Sequence, residues 1–121
     1  MTQDELSDRF LDFAVRVGKA VDALPKSRLA RHVAGQLIRC GTAAGPNYEE
    51  ACAAESRADF IHKLLIALKE MRESRYWIRL ISKAPLLPQK RMMPLLDEST
   101  QLCNILGKSV VTAKSKTSRT R

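Results

Sequence analysis

The side chains able to do acid–base, nucleophilic or metal chemistry in this chain are few, and they are scattered. There are two histidines, His32 and His62, three cysteines, Cys40, Cys52 and Cys103, and thirteen carboxylates. Asp59-x-x-His62 has the i, i+3 spacing that sets a carboxylate and an imidazole on one helix face, as in half of a carboxylate di-iron set. Such a set needs the same pair on a second helix, and the chain supplies no partner motif. The cysteines show no CxxC spacing and no Cys/His cluster of the zinc-binding kind. They fall at apolar or small-residue positions and read as packing residues. His32 follows Arg31 on a basic stretch and reads as a surface residue. The expectation is a protein without metal, cofactor or catalysis.

Charge is the stronger signal. Twenty-one Lys and Arg against thirteen Asp and Glu leave a net charge of +8. Arg72, Arg75, Arg79 and Lys83 recur at three- and four-residue steps and so share one flank of a helix. Lys90 and Arg91 lie just beyond, across a turn, and are expected to extend the patch. The last residues add Lys114, Lys116, Arg119 and Arg121. A stripe of this kind tracks phosphates by releasing counterions. No stacking aromatic is read among these residues, which argues against a single-strand platform. A second polar set, Arg39, Asn47, Glu50 and Glu73, is expected to form a buried network at a helix junction. Its members must pair to offset desolvation, so its role is structural.

Four periodic segments would position these groups. The first spans about 4–24, with Leu6, Phe10, Phe13, Val17, Val21 and Leu24 in one row, Thr2 or Ser7 as cap and Pro25 as stop. The second spans about 28–53 behind Ser27, interrupted or kinked near 45–46 by Gly45-Pro46. Its row Ala30, Ala34, Ile38, Gly41 and Gly45 is mostly small and reads as a close-packing seam. Ser56-x-x-Asp59 resembles a capping box and opens the third, 57–83. Ala84–Pro88 separates it from the fourth, about 89–111, and residues 114–121 read as a disordered basic tail. The fold class is all-α, an antiparallel up-down four-helix bundle, placed within residues 1–113. No apolar run approaches the roughly 18 residues of a membrane span. The N-terminus lacks an apolar leader segment, so a cytoplasmic location and no membrane partner are expected.

The third helix carries more apolar circumference than one core face needs. Phe60, Leu64, Ala67, Met71, Ile78 and Ile81 form its core stripe, whereas Ile66, Trp77 and Leu80 point about 100–160° away. These three are the expected subunit interface. Residues 1–25 hold Arg9, Arg16 and Lys19 against Asp4, Glu5, Asp8, Asp12 and Asp22, while residues 26–48 hold Lys26, Arg28, Arg31 and Arg39 with no acid. Unlike surfaces of this kind suit a head-to-tail contact between copies.

Gln36 to Ile81 resembles a family of bacterial four-helix-bundle proteins, some encoded within intervening sequences of large-subunit ribosomal RNA. The shared pattern is Gln36-x-x-Arg39, a small-residue stretch, Asn47-x-x-Glu50, Ser56-x-x-Asp59-Phe60, Ile66-Ala67-Leu68 and Glu73; Ala51 departs from the glycine common there. The resemblance implies a bundle that assembles into a homo-oligomeric ring, commonly pentameric. It is also similar to the accessory protein of diversity-generating retroelements, a basic pentamer that works with a reverse transcriptase and nucleic acid. The expectation is a non-enzymatic interaction protein whose partners are itself and RNA, DNA or a nucleic-acid enzyme. Two alternatives are weighed. One is a purely structural homo-oligomer. The other is a ribonuclease, because Arg57-x-x-x-x-His62 resembles the Arg–His motif of helical ribonucleases of the HEPN type, although Ala58 stands where they place a polar residue.

Overall fold

The computed structural model describes residues 1–119 and consists there of four helices: α1 (Gln3–Asp22), α2 (Arg28–Cys52), α3 (Arg57–Lys83) and α4 (Gln89–Arg119). Each helix packs on its neighbours in sequence, and α1 closes the ring of contacts against α4 with the thinnest of the four seams. Short joints make consecutive helices antiparallel: Ser7, near the start of α1, bonds to Glu49 near the end of α2, and Lys63 of α3 reaches Glu50. This is the all-α four-helix packing that the periodicity predicts.

Local chemistry explains the boundaries. Thr2 caps α1 with a complete capping box: its hydroxyl accepts from Glu5 N at 3.1 Å, and Glu5 Oε2 accepts from Thr2 N at 3.3 Å. The helix ends before Pro25, which disfavours helical backbone in the residue ahead of it. Ser27 and Ser56 cap α2 and α3 by accepting from Ala30 N and Asp59 N, both at 3.1 Å.

Two expectations change. Pro46 does not interrupt α2, whose helical assignment runs through Gly45-Pro46. Proline leaves the Thr42 carbonyl without its helical donor; next to it, Asn47 Nδ2 donates to the Ala43 carbonyl at 2.9 Å. The fourth helix does not stop near 111 but continues to Arg119. No Gly or Pro follows Gly107, so nothing breaks the backbone, and Ala113 is buried. Residues 114–119 of the expected disordered tail are therefore helical, while Thr120 and Arg121 lie outside the described residues.

The core runs the length of the bundle. Phe10, Phe13 and Val17 of α1 meet Leu37, Cys40 and Ala44 of α2, Leu64, Met71, Ile78 and Ile81 of α3, and Met92, Leu102 and Leu106 of α4. Its two buried polar side chains are satisfied within their own helices, Ser74 by the Glu70 carbonyl and Ser99 by the Leu96 carbonyl. The small-residue seam is real where α1 crosses α2. A Cβ on Gly41 would lie 2.9 Å from Val17 Cγ1, and one on Gly45 would lie 3.2 Å from Phe10 Cβ. Ile38, in the same row, is exposed.

Gly41→Ala should therefore lower unfolding free energy by about 1–3 kcal/mol through overpacking. Gly35→Ala, on the exposed side of α2 with open space around its Cβ position, should be neutral or stabilising by up to about 1 kcal/mol. Urea denaturation of the two variants checks both, and equal midpoints would contradict the close helix approach.

Candidate nucleic-acid interface

The carboxylates of α3 and α4 are sorted by the seams they face. On the flank of α3 turned toward α2, the Arg39 guanidinium bonds to Glu73 and, at 3.2 Å, to Glu70, with Gln36 Oε1 accepting at 3.3 Å. Glu73 also accepts from Trp77 Nε1 at 3.0 Å. The Arg39 hydrogen bond and then the Trp77 one hold the Glu73 carboxyl below its ordinary 4.5. On the flank of α4 turned toward α1, Arg9 grips Glu98 through Nε at 3.0 Å and Nη2 at 2.5 Å and reaches Gln101. That hydrogen bond raises the Arg9 pKa above its usual value.

With Glu70, Glu73 and Glu98 turned to these seams, cations outnumber acids on the outward α3–α4 face, where Asp97 stays exposed and accepts from Gln101 Nε2 at 2.9 Å. Arg72, Arg79 and Lys83 are exposed and make no ion pair among the described residues. Arg75 is half-buried and anchored across the seam, its Nε donating to Thr100 Oγ1 at 2.9 Å. Arg72 and Arg75 line an open groove of about 1180 Å3 with Thr100, Cys103, Asn104 and Lys108. Arg79 and Lys83 line a second of about 620 Å3 with Tyr76, Leu80 and Gln89. No carboxylate lines either. Cys103, beside Arg72 and Arg75, has its thiol pushed up by burial more than the two guanidinium groups pull it down, which suits a packing residue rather than a nucleophile.

Several sequence expectations are corrected by this placement. Lys90 is exposed next to Gln89 of the smaller groove, but Arg91 turns to the other side of α4, beside Arg16 and Lys19 of α1. It does not extend the stripe. The four-residue polar network is neither buried nor one network. Arg39 and Glu73 pair at the surface, Glu50 is exposed and pairs with Lys63 at 3.3 Å, and Asn47 bonds within its own helix. The bundle places these residues on the α2–α3 rim, where water shares their solvation.

Trp77, Ile66 and Leu80 are half-buried within the subunit. Trp77 packs edge-on against His32 of α2, ring centroids 5.8 Å apart, and against Tyr76 at 5.1 Å. Through His32 the start of α2 takes up part of the Trp77 surface within the subunit. The bare apolar side chains of α3 are instead Leu65 and Tyr76, 40% and 57% exposed. Tyr76 therefore stands between Arg72 and Arg79 on the cationic flank, an interleaved aromatic that the sequence reading overlooked although the i, i+4 spacing displays it. Arg57 and His62 diverge by about 140° around the axis of α3, and Arg57 lines a groove with Phe60 and Lys108 that His62 does not reach. No group of three or more His, Cys, Asp or Glu side chains among the described residues could hold a metal ion, and no described helix is long and apolar enough to cross a membrane.

Comparison with known proteins identifies a family and similar solved structures. The family model described as 23S rRNA-intervening sequence protein matches residues 4–108. Among solved structures, a protein of unknown function from the S23 ribosomal protein family of Bacteroides thetaiotaomicron VPI-5482 has a TM-score of 0.80 and 34% sequence identity. That similarity covers 87% of this chain and 97% of the other. No curated protein matches.

Glu73 has a depressed pKa in the folded state, so its contribution to stability is present above its ordinary value and lost as pH falls through its folded value, below 4.5. Glu73→Gln should melt below the wild type at pH 7, and the gap should narrow as pH falls below 4.5. A gap that persists undiminished in acid would show that the carboxylate charge is not what Arg39 and Trp77 recognise.

Proposed function

The chain belongs to the 23S rRNA-intervening sequence protein family, and from that premise we propose that it is a non-enzymatic, self-associating protein that binds single-stranded RNA or DNA on its α3–α4 face. One observation carries this: a flank of α3 with exposed, unpaired cations and an exposed tyrosine set among them, from which Glu70, Glu73 and Glu98 are turned away. Arg72, Arg79 and Lys83 would neutralise successive phosphates. Arg75, already fixed by Thr100, would contribute a charge that costs little ordering on binding. Tyr76 would stack a base, an interaction worth about 1–3 kcal/mol. A nucleic-acid enzyme that carries such a strand is compatible with the same surface, since the strand supplies the contact. Lys90, exposed at the start of α4, lengthens the track by one cation.

Self-association is proposed from a different surface. The outward side of α1 exposes Leu11 and Val15, 63% and 51% exposed, beside Asp8 and Asp12. This apolar, acidic face complements the exposed Arg28, Leu29 and Arg31 at the start of α2 of a second copy, a heterologous pairing of the kind that closes rings and leaves the α3–α4 face free. A purely structural homo-oligomer is favoured over a nucleic-acid binder if assembly buries the α3–α4 face as well.

Four phosphate contacts per protomer predict a log–log salt slope of roughly −3 for a pyrimidine oligonucleotide. Arg72→Glu with Arg79→Glu should flatten the slope by at least about 1, and Tyr76→Ala should weaken binding about tenfold for single strands with little effect on duplex. Fluorescence anisotropy across a salt series reads all three; no binding at low salt overturns the nucleic-acid proposal. Light scattering reads the other half: wild type should exceed the 13.6 kDa of one chain, and Leu11→Glu with Val15→Glu should lower the mass. A monomeric wild type overturns self-association.

A further inference from the structure

A second charge feature lies on the other side of α4, along its seam with α1. Arg9 meets Glu98 there at 2.5 Å. Because the two helices run antiparallel, a step of seven residues forward on α1 corresponds to seven back on α4, about two turns along the same seam. That step leads to Arg16 and Arg91, so the equivalent position sets guanidinium near guanidinium. Both, with Lys19, line a small groove of about 180 Å3 floored by Ala20, Met92 and Leu95. No carboxylate lines it, and none of the three cations has an ion-pair partner among the described residues. The groove also opens beside the first turn of α4, whose N–H groups add positive potential.

We propose that this groove is an anion site that takes one phosphate group, held between Arg16 and Lys19 of α1 and Arg91 of α4. Like charges brought together across a packed seam repel unless a counter-charge lies between them, and no carboxylate lines this groove or pairs with its cations among the described residues. Guanidinium forks match a tetrahedral oxyanion through paired N–H donors, and a dianion balances three cations better than a carboxylate does. The space suits a tetrahedral anion with a few waters, each taking about 30 Å3, rather than a nucleobase. Occupancy would tie together the thinnest of the four helix seams, so binding is linked to stability. The site is separate from the α3–α4 face, and its phosphate could be the free ion or a backbone phosphodiester.

Thermal unfolding of the full chain in inorganic phosphate and in chloride, at matched ionic strength and pH, tests the site. At ten times the dissociation constant the wild-type midpoint should rise by roughly 5–6 °C beyond the general stabilisation that phosphate gives any protein. Arg91→Glu recreates the pairing seen at Arg9–Glu98. It should melt above the wild type in chloride and lose the specific phosphate response, and Arg91→Gln should lose that response without the gain. A phosphate response in Arg91→Glu equal to that of the wild type overturns the proposal. So does a response abolished by Arg72→Glu with Arg79→Glu, which would place the anion on the other face. Oligonucleotide binding separates the two sources. Weakened binding by Arg91→Glu assigns the site to backbone phosphate, whereas unchanged binding with the phosphate response lost assigns it to the free ion; either result supports the site.

Discussion

The arrangement of this bundle turns on where its carboxylates are anchored. Arg39 takes Glu70 and Glu73 into the α2–α3 seam, and Arg9 takes Glu98 into the α1–α4 seam. These pairs are partly exposed and contribute little to stability on their own. Their consequence is directional. With these three acids committed to two seams, the charged side chains that line the α3–α4 grooves are arginine and lysine alone, with Asp97 exposed beside Gln101, and that face carries a local share of the positive potential of a +8 chain. A concentrated field raises encounter rates with polyanions, which a dispersed excess of the same size would not.

That sorting depends on close packing elsewhere. Gly41 and Gly45 let α1 approach α2 closely, and Thr2, Ser27 and Ser56 fix where three helices begin. A shift of one residue in the register of α3 would turn each side chain about 100° around the axis. Glu73 would then leave Arg39, and the cationic flank would rotate toward a neighbour. Capping and small-residue contacts thus act on function through geometry, at a distance from any cation.

The helices, their caps and their core rows were legible in the sequence because a 3.6-residue period and a Ser or Thr before it are local signals. The exception among boundaries was the end of α4, where a run of Lys, Ser and Thr lacks apolar period yet contains nothing that stops a helix. The cationic flank was legible for the same reason as the core, since Arg72, Arg75, Arg79 and Lys83 keep helical spacing. What a helical wheel does not say is which neighbour covers each flank. Trp77 looks surplus on α3 alone, and it takes the position of His32 at the start of α2 to show that it is half-buried within the subunit. Arg39, Asn47, Glu50 and Glu73 looked like one buried unit because they share a segment, whereas the fold spreads them along an exposed rim. The exposure of Tyr76 follows from its lying between two exposed arginines, Arg72 and Arg79, on the same flank. Arg91 follows Lys90 in sequence, but 100° of helix separates their directions, enough to send them to different sides of α4.

Single-stranded nucleic acid is proposed to meet the α3–α4 face, from which Glu70, Glu73 and Glu98 are turned. Amide chemical-shift mapping with a short single-stranded RNA tests it residue by residue. The account predicts the largest perturbations between Arg72 and Lys83 on α3 and near Thr100 to Lys108 on α4, with the outward residues of α1 and α2 unmoved. Perturbations centred on Leu11, Val15 or Ile38, with the α3–α4 resonances silent, would contradict it.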